Sequence, residues 1–209
     1  MNKKCTEIYN YLNDLLKSLK CELEYENIFQ LLVAVILSAQ CTDKRVNLVT
    51  KELFKTYKTP NDFLKLKQEE LETLIHSCGF YKNKAKAILS ASRDIETKFN
   101  GDVPKNMENL LSLSGVGRKT ANVVLSEGFK QDAIAVDTHV FRVSHRLDLS
   151  SGKTPIDVEE DLKEEFDKNL WSSLHLYLVL FGRYYCKSIK PECEICGLKG
   201  YCKYYKEKN

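Results

Sequence analysis

The chain has 209 residues, 43% of them hydrophobic and 29% charged, which is the balance of a soluble globular protein with one domain or two small lobes. Charges interrupt the N-terminal residues from the start, and the longest apolar run, residues 31–37, is too short to cross a membrane. We therefore expect a cytoplasmic protein without a signal peptide. The net charge of +3 does not identify a partner. Basic residues outnumber acidic ones in 79–146 and 183–209, and acidic ones prevail in 157–168, which indicates one positive face.

Apolar residues recur three and four positions apart along nearly the whole chain, and β-branched alternation is scarce. This pattern predicts an all-α fold in which glycines end many of the helices. The helix at 28–39 is apolar almost all round, so we expect it at the centre of a core. The predicted helices are 6–20, 28–39, 44–57, 60–66, 68–77, 83–98, 107–113, 118–126, 138–147, 158–168 and 170–184.

The buried helix ends in the polar sequence SAQCTD at 38–43. One interpretation is that this end delivers polar groups such as Gln40 to a surface or cleft. The other is that Thr42 or Asp43 caps the helix that follows, which is the commonest use of these residue types at such a position.

A glycine-rich corner, Gly115-Val116-Gly117, joins two predicted helices, and Arg118 and Lys119 open the second helix. The backbone amides there point away from the helix that they begin, at the positive end of its dipole. An anion such as a phosphate is their natural partner, although a tight corner with Val116 packed inside would explain the glycines as well. The spacing does not match a nucleotide-binding P-loop.

Two residues near helix starts are candidates for chemistry. The amine of Lys119 lies where positive potential disfavours its charged form, and a neutral lysine can attack a carbonyl-like carbon to form a Schiff base. Asp137 follows three apolar residues, so it is either a plain N-cap or a carboxylate held at the edge of a cleft. His139 could contact a phosphate or simply lie at the surface.

Four of the eight cysteines lie close together near the C-terminus, with the spacing C-x6-C-x2-C-x5-C. In a reducing cytosol this grouping predicts metal ligation, and spacing alone leaves zinc and a 4Fe-4S cluster equally open. Lys187 and Lys190 lie between the first two ligands, where a metal would hold them toward an anionic surface. The four predicted ligands are Cys186, Cys193, Cys196 and Cys202.

Together these segments resemble the endonuclease III family of base-excision-repair DNA glycosylases. The resemblance covers nearly the whole chain in order. The segments that carry it are LSAQCTDKRVN at 37–47, CGFYKNKA at 78–85, GDVP at 101–104, GVGRKTANVVL at 115–125, IAVDTHVFRV at 134–143, FGRYYC at 181–186 and the four cysteines.

The resemblance implies a bilobal helix-hairpin-helix glycosylase fold. A six-helix barrel lobe at 21–132 would contain the hairpin at about 107–126, and residues 1–20 and 133–209 would form a second lobe with a 4Fe-4S cluster loop at 186–202. It further implies a monomer that binds duplex DNA carrying damaged bases or abasic sites.

The same resemblance implies roles for individual residues. Lys119 would be the nucleophile, with assistance from Asp137, and a strand nick 3′ to the lesion would follow by β-elimination. Gln40 and Phe80 would enter the gap left by a flipped-out pyrimidine, although Phe80 could instead be a core aromatic. Alternatives are an adenine mismatch glycosylase, a mismatch-specific thymine or uracil glycosylase, and a DNA-binding protein without catalysis.

Overall fold

The computed structural model describes residues 1–208, and these form an all-α protein without a β-strand, as the apolar periodicity predicts. No helix among these residues has the length and apolar character needed to span a membrane. The α-helices are α1 Lys3–Leu16, α2 Ile28–Ser38, α3 Asp43–Thr56, α4 Pro60–Phe63, α5 Gln68–Leu74, α6 Tyr81–Phe99, α7 Met107–Leu111, α8 Arg118–Val123, α9 Thr138–Arg146, α10 Pro155–Glu165, α11 Trp171–Tyr184 and α12 Lys203–Lys206.

The chain divides into two compact units. We call residues 21–130 the middle unit, and residues 1–20 together with 131–208 the terminal unit. The middle unit is built around α2, in which every residue from Phe29 to Leu37 is buried. Helices α3, α6 and α8 pack against α2, while α4 and α5 pack on α6. The all-round apolar sequence of α2 therefore produces the central helix that it predicts.

In the terminal unit, α11 is the central element and packs against α9 and α1. Its core is formed by aliphatic and aromatic side chains from all three helices, such as Ile8, Val140 and Phe181. Helices α10 and α12 pack on α9. This core supports both the start of α9 and the cysteine-rich segment after α11.

Local capping explains two helix starts that differ from the sequence prediction and one short helix that the sequence did not predict. Helix α1 begins at Lys3 because the Asn2 side chain accepts a hydrogen bond from the Cys5 amide. Helix α10 begins at Pro155 because Thr154 forms a capping box. The short helix α12 was not predicted, and it begins where the Cys202 sulfur accepts a hydrogen bond from the Tyr205 amide.

Candidate active site and cysteine cluster

The corner between α7 and α8 is shaped by two glycines with different constraints. Gly115 has a φ of 77°, and a Cβ placed on it would lie 2.8 Å from the Cβ of Ala87, so only glycine fits there. Gly117 has a φ of −93°, and a Cβ on it would meet nothing within 4 Å. Val116 between them is buried. The packed valine of the tight-corner interpretation is therefore present, and a phosphate at the backbone amides stays a prediction.

Lys119 lies in the first turn of α8, and its side chain is exposed. Gly117 is the N-cap of this helix, and its carbonyl accepts from the Ala121 amide at 2.9 Å. Beyond Val123 the helix continues through a π-helical turn, Val124–Gly128. The amides at the start of this helix have no acceptor inside it, because the first turn of any helix lacks one. An exposed amine thus stands beside a backbone suited to an anion.

Gln40 and Phe80 share an uncommon backbone conformation in the middle unit. Both are left-handed, with φ values of 52° and 58°, and both side chains are exposed. Phe80 is 64% exposed, so the interpretation of it as a core aromatic is wrong. The two segments are neighbours, since a Cβ on Gly79 would lie 3.6 Å from the Gln40 carbonyl oxygen. Thr42 caps α3 by accepting from the Arg45 amide at 3.3 Å, which leaves Gln40 in the connection.

A buried lysine that the sequence analysis missed holds this connection in place. The Lys84 Nζ donates to the carbonyls of Leu37 at 2.8 Å and Ala39 at 2.7 Å, at the C-terminal end of α2. Burial lowers the pKa of Lys84, but the negative end of the helix dipole and the two carbonyls favour its charged form. A lysine in the KNKAKA segment gives no signal of burial, because only the packing of α6 on α2 brings it there.

Asp137 is the N-cap of α9 in the terminal unit. Its Oδ1 accepts from the amides of His139 and Val140, each at 2.8 Å, so the carboxylate is held in one orientation. Both cap bonds use Oδ1, and Oδ2 is not part of them. Asp137 is therefore an N-cap, and the same hydrogen bonds hold its carboxylate in a fixed position. His139 is half-buried, and its Nδ1 lies 3.2 Å from the Arg142 guanidinium.

Two arginines of α9, also missed from the sequence, fasten this helix to the beginning of the cysteine-rich segment. Arg142 donates to the carbonyls of Gly182 at 2.7 Å and Cys186 at 3.2 Å. Arg146 donates to the Lys187 carbonyl at 2.7 Å, lies 3.4 Å from the Cys186 sulfur, and stacks on the Tyr204 ring. The sequence does show that the two arginines are four residues apart, which places them on one face of a helix.

All four C-terminal cysteines line one cavity of about 100 Å³, together with apolar and aromatic side chains that include Tyr11 and Phe181. Burial raises the pKa of Cys196 and Cys202, and the neighbouring cysteines raise it further. Within residues 1–208 no three His, Cys, Asp or Glu side chains are arranged to hold a metal ion.

The two lysines between the first cysteines are placed differently. Lys187 forms an ion pair with Glu192 at 2.7 Å, so part of its charge is engaged within the loop itself. Lys190 is exposed and has a left-handed backbone with a φ of 50°. Of the two, Lys190 is better placed to meet an anionic partner.

Comparison with known proteins identifies the family. The family model for the HhH-GPD superfamily base excision DNA repair protein matches residues 33–168. The chain is 50% identical to endonuclease III of Rickettsia conorii over 89% of both chains, and 48% identical to endonuclease III of Bacillus subtilis over 92% of this chain and 88% of the relative. It also matches a solved structure of a trapped endonuclease III–DNA covalent intermediate, with a TM-score of 0.94, 44% identity, and coverage of 100% of this chain and 99% of the other.

The chain therefore belongs to the HhH-GPD superfamily of base excision DNA repair proteins. These matches confirm the resemblance to the endonuclease III family and the all-α glycosylase fold that it implies.

Proposed function

We propose that this protein is a bifunctional DNA glycosylase and abasic-site lyase that removes damaged pyrimidines from duplex DNA in base excision repair. The observation that carries the proposal is the exposed Lys119 in the first turn of α8, directly after the Gly115–Gly117 corner, in a chain of the HhH-GPD superfamily. The related endonuclease III in the matched solved structure was trapped as a covalent intermediate with DNA. A covalent intermediate requires a nucleophile, and Lys119 supplies one.

In the proposed reaction the neutral amine of Lys119 attacks the sugar C1′ of a nucleotide flipped out of the duplex. The bond from C1′ to the base breaks, and the base leaves with the bonding electrons and acquires a proton. Opening of the sugar ring gives an imine between C1′ and Nζ. Loss of a proton from C2′ then expels the 3′ phosphate by β-elimination and nicks the strand, and hydrolysis of the imine releases Lys119.

Asp137 assists this chemistry through a carboxylate that is held by two backbone amides at 2.8 Å. It stabilises the positive charge that develops on the sugar as the base departs, and it helps to remove a proton from the attacking amine. A fixed carboxylate is suited to this role because it does not have to reorient during the reaction.

The DNA backbone is gripped at the glycine corner. The amides at Gly117 and the first residues of α8 donate to a phosphate, while Gly115 makes the tight turn and Val116 anchors it. Arg118 adds positive charge. These contacts are independent of base sequence, as expected for an enzyme that must examine every position.

Other residues contact DNA in the proposed complex. Gln40 and the exposed ring of Phe80 fill the gap left by the flipped nucleotide and replace part of its stacking. His139, Lys187 and Lys190 approach phosphates. We infer that the protein acts as a monomer on duplex DNA.

The four cysteines around the 100 Å³ cavity hold a 4Fe-4S cluster in this proposal. Two features support the fit. Arg146 donates to the Cys186 sulfur at 3.4 Å and the Tyr205 amide to the Cys202 sulfur at 3.4 Å, and donors of this kind stabilise thiolate ligands. The remaining walls are largely apolar, which suits a cluster. The four cysteines fill all the ligand positions of such a cluster, so when bound it would serve to hold residues 186–202 rigid.

The test is borohydride trapping on duplex DNA with one thymine glycol. The wild-type protein is expected to give a covalent protein–DNA band, Lys119→Ala to give none, and Lys51→Ala, which removes another exposed helical lysine, to retain the band. Parallel duplexes with an abasic site, a G·T mismatch and a G·U mismatch separate the damaged-pyrimidine enzyme from a mismatch glycosylase. Failure to trap any of these substrates while duplex DNA is still bound would overturn the proposal.

A further inference from the structure

Two cysteines outside the C-terminal cluster lie together in the middle unit. Cys41 follows the connection that contains Gln40, and Cys78 precedes the turn that contains Phe80. The residues next to them are in contact, since a Cβ on Gly79 would lie 3.6 Å from the Gln40 carbonyl oxygen, and Cys41 is close enough to Cys78 to raise the pKa of its thiol. Cys78 is fully buried, whereas Cys41 is partly exposed to solvent. Cys41 is thus the residue of the pair that a reagent in solution can reach.

The surrounding backbone fixes this pairing. The Cys41 amide donates to the Ser38 carbonyl at 3.0 Å and the Cys78 amide to the Ile75 carbonyl at 2.8 Å, so both cysteines lie in hydrogen-bonded turns. Lys84 belongs to the helix that follows Cys78 and binds the Ala39 carbonyl at 2.7 Å. The two segments are therefore fastened to each other, and the native fold holds the two cysteines in neighbouring turns.

The charges around the pair suit thiol chemistry. Lys84 and Arg45 lie close enough to Cys78 to favour its thiolate. Burial nevertheless raises the pKa of Cys78 to about 11, with the neighbouring Cys41 as the next cause. The buried thiol therefore stays protonated, and the accessible Cys41 is the residue that reacts first.

We propose that Cys41 and Cys78 are a modification site at which a small-molecule disulfide, such as oxidised glutathione, forms an intramolecular disulfide. The Cys41 thiolate attacks one sulfur of the reagent and releases one thiolate, which leaves a mixed disulfide on Cys41. The Cys78 sulfur, losing its proton, then attacks the Cys41 sulfur and releases the second thiol. Two protein thiols are oxidised, and one disulfide reagent is reduced to two thiols.

The disulfide would join the two segments that carry Gln40 and Phe80. Its effect on turnover rests on the proposed function, in which both residues contact DNA. The two sulfur atoms must approach to about 2.05 Å when they are bonded. The Gln40 and Phe80 backbones, each one or two residues from a bonded cysteine, move with them. Oxidation is expected to lower turnover on damaged DNA by roughly tenfold or more, since a displacement of about 1 Å can cost up to a hundredfold.

The first experiment tests the bond itself. The full-length, reduced protein with its cluster is incubated with oxidised glutathione without oxygen, alkylated, digested and analysed by mass spectrometry. The wild type is expected to yield a peptide linking Cys41 to Cys78. Cys78→Ser is expected to accumulate one glutathione on Cys41, because the second step is blocked, and Cys41→Ser to show neither product. A wild-type protein without the linked peptide would overturn the proposal.

The second experiment tests the consequence with the same samples. Turnover on a thymine glycol duplex is compared before oxidation, after oxidation and after reduction with dithiothreitol, with Cys41→Ser as the matched control. A loss of turnover on oxidation supports the proposal if reduction reverses it in the wild type and if Cys41→Ser does not show it. Equal activity of linked and reduced wild type would refute an effect on DNA. Absence of activity in every reduced sample would instead refute the proposed function, and the linked peptide would stand without it.

Discussion

Substituting the two glycines of the corner separately distinguishes a structural role from a binding role. Gly115→Ala places a non-glycine residue at a φ of 77°, which costs about 1–2 kcal/mol. The new methyl group would also lie 2.8 Å from the Ala87 Cβ, so α6 or the corner must shift, at about 1–2 kcal/mol more. The expected loss of about 2–4 kcal/mol corresponds to a fall in Tm of roughly 4–16 °C for a chain of this size.

Gly117→Ala should leave the fold intact. A Cβ at Gly117 meets nothing within 4 Å, and its φ of −93° is open to alanine. The smaller entropy of the unfolded chain favours alanine by about 0.4–1 kcal/mol, while the loss of a glycine N-cap opposes it by a similar amount. We therefore expect a free energy of unfolding within about 1 kcal/mol of the wild type.

Gly117→Ala should change the affinity for DNA more than it changes the free energy of unfolding. The methyl group would occupy the open space beside the amides of α8, where the proposed phosphate approaches. Losing one charge-assisted hydrogen bond of about 1.5–3 kcal/mol weakens binding by roughly 10-fold to 150-fold. Thermal unfolding followed by circular dichroism gives the stability, and titration of an abasic-site duplex at fixed salt gives the affinity.

Two results would refute this reasoning. If Gly117→Ala is folded and binds duplex DNA as tightly as the wild type, the phosphate does not lie at these amides. If Gly117→Ala unfolds at as low a temperature as Gly115→Ala, the structural distinction between the two glycines is wrong.

Three further predictions concern the other parts of the site. Asp137→Asn keeps an N-cap of equal quality, so Tm should be unchanged while single-turnover base release falls by about 10²-fold or more; unchanged release would exclude a catalytic carboxylate. Lys84→Met leaves two carbonyls at the end of α2 without their donor, so urea unfolding should show a free energy of unfolding lower by about 1–3 kcal/mol. The control Lys86→Met, at an exposed position, should change that free energy by less than about 0.5 kcal/mol. Iron analysis should find about four irons per chain, lost in Cys193→Ser and kept in Cys41→Ser.

The local features of this protein can be predicted from its sequence because they depend on neighbours along the chain. The spacing of apolar residues gave the all-α class, and the unbroken apolar run from Phe29 to Leu37 gave the buried central helix. The corner at Gly115 and the N-cap at Asp137 were also visible, because turns and caps are decided within a few residues. Their proposed roles on DNA stay predictions.

The tertiary structure decided which distant residues meet. Lys84 reads as one more surface lysine in the sequence, and only the packing of α6 on α2 buries its amine against the carbonyls of Leu37 and Ala39. The same packing brings the segment that carries Cys41 beside the segment that carries Cys78, 37 positions further along the chain. Helical periodicity fixes which face of a helix is buried, but it does not specify the partner helix or the register of the contact. For that reason the fold class could be read from the sequence, while the buried lysine and the thiol pair could not.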